Sequence, residues 1–212
     1  MTIAIADAIV HNRDYEKYLK YYIKKYSNYK PNISPYFKNA FSPNIIKWAK
    51  GDYVGNSRGN GAMMRISPVG YLFNSEKDVI NNSYLATIPS HNSKEAINCS
   101  RIVALIIYYL RNGMDLKEVF KKLNICVKYE PFVKFNTTCY ETLNNCLYVL
   151  ENSTSFEDAI RLIISMGGDT DTNACIVGSM AEAIYGINDE LIDKMNKKIP
   201  CEFKKVLSNC NY

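Results

Sequence analysis

Residues Ser165 to Gly186 read SMGGDTDTNACIVGSMAEAIYG. Gly167 and Gly168 make a break. Asp169, Thr170, Asp171 and Thr172 follow without interruption, and an apolar helix then runs to Gly186. A helix start used only for packing needs a single capping oxygen, not a cluster of them. Beyond the cluster, Ala174, Gly178 and Ala181 form a stripe of small residues at helical spacing. Such a stripe lets a second helix approach closely and would hold the helix start rigidly in a core. The stretch predicts a buried helix with oxygen-bearing side chains gathered at its N-terminus.

Three chemistries compete for that cluster. In an EF-hand loop, Asp169, Asp171 and Asn173 would fill the first, third and fifth positions. The sixth must then be glycine and is Ala174, and the twelfth must be a bidentate glutamate and is Met180, so the reading fails. A phosphatase-type Asp-x-Asp nucleophile needs a preceding strand, but Phe156 to Met166 is capped and periodic as a helix. The third reading is a cation site. Asp169, Asp171 and Thr172 supply the hard oxygen ligands that magnesium prefers. The positive end of the helix would offset carboxylate repulsion by only ~0.3–1 kcal/mol, too little for two close carboxylates. The plain alternative is capping alone, by Asp169 or Thr170.

The rest of the chain is also helical in pattern. MTIAIADAIV, residues 1–10, is a helix already in progress, with no cap before it. Helices rarely begin so abruptly, and the expectation is that a segment precedes Met1. Asp14 to Tyr26 repeats Tyr15, Tyr18, Leu19, Tyr22, Ile23 and Tyr26 at helical spacing. Asn28 to Pro35 reads as a loop, and Tyr36 to Lys50 carries a helix with Trp48. Ser75 with Asp78, and Ser155 with Asp158, are capping boxes. Asn92 with Glu95 is assigned the same role for a helix reaching Gly113. Further helices are expected over Asp115–Asn124, Thr137–Leu150, Asn188–Lys198 and Cys201–Leu207. Strand-like alternation is nearly absent, and no linker or repeat divides the chain. The prediction is one all-α domain over residues 1–212, a compact orthogonal multi-helix bundle.

Composition narrows the class. The 212 residues are 47% hydrophobic and 22% charged, which describes a globular chain. The net charge of +5 is spread along the sequence. Nucleic-acid surfaces usually concentrate theirs in a stripe, so a basic nucleic-acid-binding protein has little support. Seven cysteines without a CxxC pair suggest a reduced, cytoplasmic protein in which Cys99, Cys146 and Cys175 are buried thiols. The longest apolar run, Ile102 to Leu110, is too short to span a bilayer, and no signal peptide is visible.

A second constellation is GDYVGNSRGNGAMMRISPVGYLF, residues 51–73. Gly51, Gly55, Gly59 and Gly61 fall close together around Asn56, Ser57 and Asn60. Successive backbone N–H groups in such a loop can form an anion-binding concavity, and a short helix over Ala62–Ile66 would add its dipole. A plain multi-turn loop explains the glycines equally well. No Gly-Lys-Ser/Thr follows, so it is not a Walker A loop. His91, in the turn before the next helix, is most often a surface or hydrogen-bonded residue in such a setting.

Residues 167–186, GGDTDTNACIVGSMAEAIYG, resemble the C-terminal signature of the ADP-ribosylglycohydrolase family, which includes the dinitrogenase-reductase-activating glycohydrolases. Residues 56–73, NSRGNGAMMRISPVGYLF, resemble that family's glycine-rich ADP-ribose loop. The segment around His91, with Glu95 and Ala96, resembles a third block, and the three occur in family order. The resemblance implies an all-helical fold and two magnesium ions, or manganese in some members. It also implies hydrolysis of the glycosidic bond between ADP-ribose and a side chain or small acceptor. Asp169, Asp171 and Thr172 would be metal ligands, and Asp169 and Asp171 would hold the attacking water through the metal. Asn56, Ser57, Gly59, Asn60 and Gly61 would contact the diphosphate and ribose, with His91 lining the same pocket. The expected partner is an ADP-ribosylated protein or an ADP-ribose-containing small molecule, with no role at a membrane.

The sequence departs from the family pattern at three places. Arg58 stands where many relatives carry an aromatic residue, and its guanidinium offers a flat cation for stacking on a base. Glu182 stands where small residues are common. The family's N-terminal block, with a Thr-Asp-Asp-Thr motif supplying further metal ligands, is absent, and Met1 to Ala4 resembles the residues that follow that motif. Two functions are therefore expected to compete: a metal-dependent ADP-ribosyl hydrolase, and a truncated relative that binds ADP-ribose or metal with little or no catalysis.

Overall fold

The computed structural model describes residues 1–29, 40–128 and 135–210. Its regular elements are helices, and among the described residues the only β-pairings are two isolated bridges, Asn56 with His91 and Gly59 with Thr138. The all-α expectation holds. The Asn28–Pro35 loop and the start of the Tyr36–Lys50 segment lie largely outside the described residues.

Helices α1 (Thr2–His11), α2 (Tyr15–Tyr26) and α3 (Pro43–Lys50) form one flank. Asp14 caps α2 through Lys17 N–H and Ser42 caps α3 through Ile45 N–H. The tyrosine stripe of α2 does packing work. Tyr15 and Tyr22 are buried, and Tyr15 Oη donates to Asn82 Oδ1 at 2.8 Å. Lys20 Nζ lies 5.2 Å from the centroid of the buried Trp48 ring, at cation–π distance.

A 3-10 segment, Asn60–Arg65, leads into the short helix α4 (Ser67–Leu72). Then come α5 (Glu76–Thr87) and the central α6 (Lys94–Arg111). Val103, Ala104, Ile106 and Ile107 of α6 are fully buried, and the helix packs on α4, α5, α8 (Cys139–Asn152) and α10 (Thr170–Tyr185). Between these run α7 (Leu116–Lys122) and α9 (Phe156–Ser165), and α11 (Asp189–Lys198) and α12 (Cys201–Ser208) close the chain. The capping boxes of α5 and α9 form as expected, with Ser75 and Ser155 accepting from Asp78 and Asp158 N–H.

Two local expectations need correction. The cap of α6 is Ser93, whose Oγ accepts from Ala96 N–H at 3.2 Å, and not Asn92. Asn92 N–H instead donates to Gly55 O at 2.9 Å, and Glu95 reaches across to accept from Tyr140 N–H. Among the cysteines, Cys99 and Cys146 are buried as expected, but Cys175 is exposed.

Helix α10 is held as its small-residue stripe requires. It packs on α9, and a Cβ at Gly178 would come within 3.2 Å of Ile160 Cδ1. Gly167 and Gly168 both have positive φ, +80° and +75°, a conformation that L side chains rarely adopt. This pair turns the chain sharply from α9 into α10 and sets where Asp169 stands. No helix among the described residues is long and apolar enough to cross a membrane.

Candidate functional site

The N-terminus of α10 differs from the seven helix starts that their own cap side chains satisfy, although α1, α4, α8 and α12 also lack such a bond. Asp14, Ser42, Ser75, Ser93, Asp115, Ser155 and Asn188 each accept a hydrogen bond from the first turn of their own helix. Asp169 occupies the cap position of α10 but makes no such bond. Its Oδ2 accepts from Asn60 Nδ2 at 2.9 Å, across 109 residues of sequence. Capping alone therefore does not account for this carboxylate. Asn60 is buried, and its amide also donates to Thr142 Oγ1 on α8 at 3.2 Å.

Asp169 is buried while Asp171, two residues on, is exposed. Burial holds the Asp169 carboxyl above the usual carboxylate range, and the adjacent Asp171 carboxyl adds to that shift. The Asn60 amide and the Thr172 hydroxyl oppose it. Thr172 is buried, with Oγ1 4.0 Å from Met64 Sδ. The cluster is thus two neighbouring carboxyls and a hydroxyl at the positive end of a helix. That donor set fits a hard cation in kind, with water completing the shell as magnesium usually retains. Among the described residues no group of three or more His, Cys, Asp or Glu side chains assembles as a metal site.

The glycine-rich loop lies antiparallel to the turn that carries His91. Ser57 N–H donates to Ser90 O at 3.2 Å, Asn92 N–H to Gly55 O, and Asn56 bridges His91. A Cβ on Gly55 would sit 1.9 Å from Pro89 O, so only glycine permits this crossing. The loop is also fastened to the start of α8, through Asn60 N–H to Thr137 O at 2.8 Å and Cys139 Sγ to Gly59 O at 3.1 Å.

These bonds change the picture of an open amide cradle. Asn56, Ser57, Gly59 and Asn60 all spend their N–H groups internally, Gly59 on Ser57 Oγ at 3.2 Å. The amides of Arg58 and Gly61 have no partner among the described residues. Any anion at this loop meets those two amides rather than a continuous nest. Arg58 is exposed, and so is Asn56, which borders a cavity of about 510 Å³ lined also by Arg13, Val54, Leu85, Pro89 and Asn92.

His91 is buried rather than a surface residue, at 6% exposure. Burial, with the Arg65 guanidinium nearby, pulls its pKa down to about 3, so the ring is neutral. Its Nδ1 is 2.8 Å from Ser90 Oγ, and its Nε2 faces Gly61, where a Cβ would lie 3.2 Å away. The first turn of α1 abuts the same region: Thr2 Oγ1 donates to Met64 O at 3.2 Å.

The structure therefore brings Asn60, Asp169, Asp171 and Thr172 together at one end, and Gly61 with His91 along the adjoining loop. Thr142, Arg65 and Ser90 belong to the same neighbourhood and are not evident from sequence pattern. Arg65 carried one readable signal, a cation inside the apolar run AMMRI, residues 62–66.

Comparison with known proteins bears on the family and the fold. A sequence model of the ADP-ribosylglycohydrolase family matches residues 1–203. The ADP-ribosylarginine hydrolase Tri1 of Pseudomonas putida (strain GB-1) is 26% identical over 161 residues, covering 68% of this chain and 42% of that protein. The ADP-ribosyl-(dinitrogen reductase) glycohydrolase of Rhodospirillum rubrum is 23% identical over 169 residues, covering 72% and 56%. The chain thus spans about half the length of these curated relatives. A solved ADP-ribosylglycohydrolase-related protein complex superposes with a TM-score of 0.65 at 18% identity, over 97% of this chain and 73% of that one, which is a likeness of fold. With its helical architecture, its glycine-rich loop and its Asp-Thr-Asp-Thr helix start all in place, the chain belongs to the ADP-ribosylglycohydrolase family.

Proposed function

We propose that this chain is an ADP-ribosyl hydrolase, cleaving the glycosidic bond between ADP-ribose and a protein side chain or small acceptor with the help of Mg2+ or Mn2+. The observation that supports the reading is the Asn60–Asp169 hydrogen bond, which joins the glycine-rich loop to the carboxylate cluster. Family membership supports the reaction class, and the two relatives' names point to ADP-ribosylated proteins as the kind of substrate.

Asp169, Asp171 and Thr172 would hold the cation. A bound divalent ion would polarise the substrate and lower the pKa of water at neutral pH. Asn60 fixes the Asp169 carboxyl in place. The amides of Arg58 and Gly61 would meet the diphosphate, and His91 would line the pocket. The exposed Arg58 guanidinium would stack on the adenine face, where many relatives use an aromatic ring.

A second reading, an ADP-ribose- or metal-binding relative without turnover, is favoured by one observation. Among the described residues only two carboxyls meet at the site. One experiment separates the two. Residues 1–212 are incubated with an arginine-ADP-ribosylated protein and Mg2+, and ADP-ribose release is followed beside calorimetric binding of ADP-ribose. Release that disappears in Asp171→Ala supports the hydrolase. Binding without release supports the second reading, and neither binding nor release sinks both.

A further inference from the structure

We propose that Arg65 and Ser90 form a positioning relay that fixes His91 as its Nε2–H tautomer, so that the ring presents a hydrogen-bond donor to ligand oxygens at Gly61. The ligand side of this proposal rests on the ADP-ribose reading of the loop. The relay itself rests on geometry within the protein.

The chain of bonds has a forced direction. Arg65 is fully buried, and a guanidinium only donates. Its Nη2 gives hydrogen bonds to Ala86 O at 3.1 Å and to Ser90 Oγ at 2.8 Å. Ser90 Oγ is therefore an acceptor toward Arg65, and its one hydrogen remains to be placed. Ser90 is itself buried, and His91 Nδ1 lies 2.8 Å from its oxygen. Donation to Nδ1 satisfies the hydroxyl and makes Nδ1 an acceptor. The proton of the neutral ring then sits on Nε2. The opposite tautomer would set two donors on Ser90 Oγ and leave its buried hydroxyl hydrogen unpaired.

The charged ring is disfavoured for a separate reason. Among the described residues no ion pair neutralises Arg65. An imidazolium would add a second buried positive charge one residue from Ser90. The lowered pKa of His91 has burial as its main cause and Arg65 as its second.

The ring's other nitrogen is where the relay has its effect. Nε2 stands against Gly61, and a side chain at that position would press on it. Glycine at 61 leaves Nε2 uncrowded, and the Gly61 amide has no partner among the described residues. The Nε2–H and the Gly61 amide are both donors, the kind of group that phosphate or ribose oxygens accept from.

The test is nuclear magnetic resonance of the ligand-free protein with nitrogen-labelled histidine. The chain has two histidines, and His11→Gln identifies the other. Long-range proton–nitrogen correlations at neutral pH distinguish the tautomers. The expected result is Nε2–H for His91, with Ser90→Ala producing a tautomer mixture and weakening ADP-ribose binding roughly three- to tenfold. Nδ1–H in the wild type, or an unchanged tautomer in folded Ser90→Ala, would overturn the relay. If Ser90→Ala does not fold, the wild-type spectrum decides by itself. Nε2–H in a protein that binds no ADP-ribose supports the relay and overturns the reading of the pocket.

Discussion

Asn60 Nδ2 donates to Asp169 Oδ2 at 2.9 Å, joining the glycine-rich loop to the first residue of the α10 cap. The two residues lie 109 positions apart in the chain. Their bond replaces the capping bond that Asp169 would otherwise make to its own helix. The carboxylate is thereby turned away from the helix backbone and toward the loop, where a ligand could use it.

Removing that tie should cost both stability and function. Asn60→Ala leaves a buried Asp169 carboxyl without its amide partner and Thr142 without its donor. The expected destabilisation is about 1–3 kcal/mol, the range for orphaning a buried polar group. For a chain of this size that lowers Tm by roughly 2–4 °C per kcal/mol. Thermal melts without ligand measure it, and calorimetry should show weakened ADP-ribose binding beyond what the melt explains. An unchanged melt would mean the bond contributes nothing.

Asp169 also sets a pH dependence. Its folded pKa is raised, first by burial and then by Asp171. A raised carboxyl binds its proton more tightly when folded. Its contribution to stability is therefore present below the unfolded value near 3.8 and is lost as pH rises through the folded value. At neutral pH the ionised form is a penalty. Asp169→Asn keeps an oxygen for Asn60 and removes the charge, so the metal-free variant should melt higher than the wild type at neutral pH. The gain should vanish toward pH ~3, where the wild-type carboxyl is protonated. Activity should be lost in the same variant, the usual conflict between stability and a charged site.

The sequence was legible where bonds are local. Ser75 and Ser155 cap through partners three residues away, and that spacing is visible in the chain. The cap of α6 departs from its local pattern at the same scale. Asn92 fits the pattern with Glu95, but Gly55 O takes the Asn92 amide and Tyr140 N–H takes Glu95, so Ser93 caps instead. Tertiary partners overrode a sound local rule. The glycine-rich loop shows the same limit. Its composition fits an amide cradle and a plain loop equally well, and Ser90 O and Thr137 O consume two of its amides from distant segments. The helix start at Asp169 was readable as a cluster. That Asn60 would hold it was not, because nothing in either segment names the other.

Gly55 is the position where the loop is least tolerant. A methyl group there meets Pro89 O at 1.9 Å, a backbone atom that cannot swing aside. Gly55→Ala should force the loop off the turn carrying His91, breaking the Asn92–Gly55 bond. The expected destabilisation is ~1–3 kcal/mol, as for overpacking a fitted site. Gly113→Ala is the comparison, since its added Cβ meets nothing within 4 Å although its φ of +84° is also strained. Only Gly55→Ala should weaken ADP-ribose binding, measured by calorimetry on the folded fraction. Equal effects on binding would show that backbone strain, not the crossing, is what matters.

Asp171 offers the cleanest test of the cation site, because its carboxyl is exposed and its removal should not disturb the core. Without metal, Asp171→Ala relieves the repulsion on Asp169, so its melt should match or slightly exceed that of the wild type. With excess Mg2+ the order should reverse. A cation that binds only the folded protein stabilises it by about 2.7 kcal/mol at a hundredfold excess over Kd. The wild type should therefore gain several degrees on titration with Mg2+ while Asp171→Ala gains none. Ca2+ should give a smaller shift if the donor set suits the smaller octahedral ion. Equal shifts in wild type and variant would place the cation elsewhere and remove Asp169, Asp171 and Thr172 from the candidate ligands.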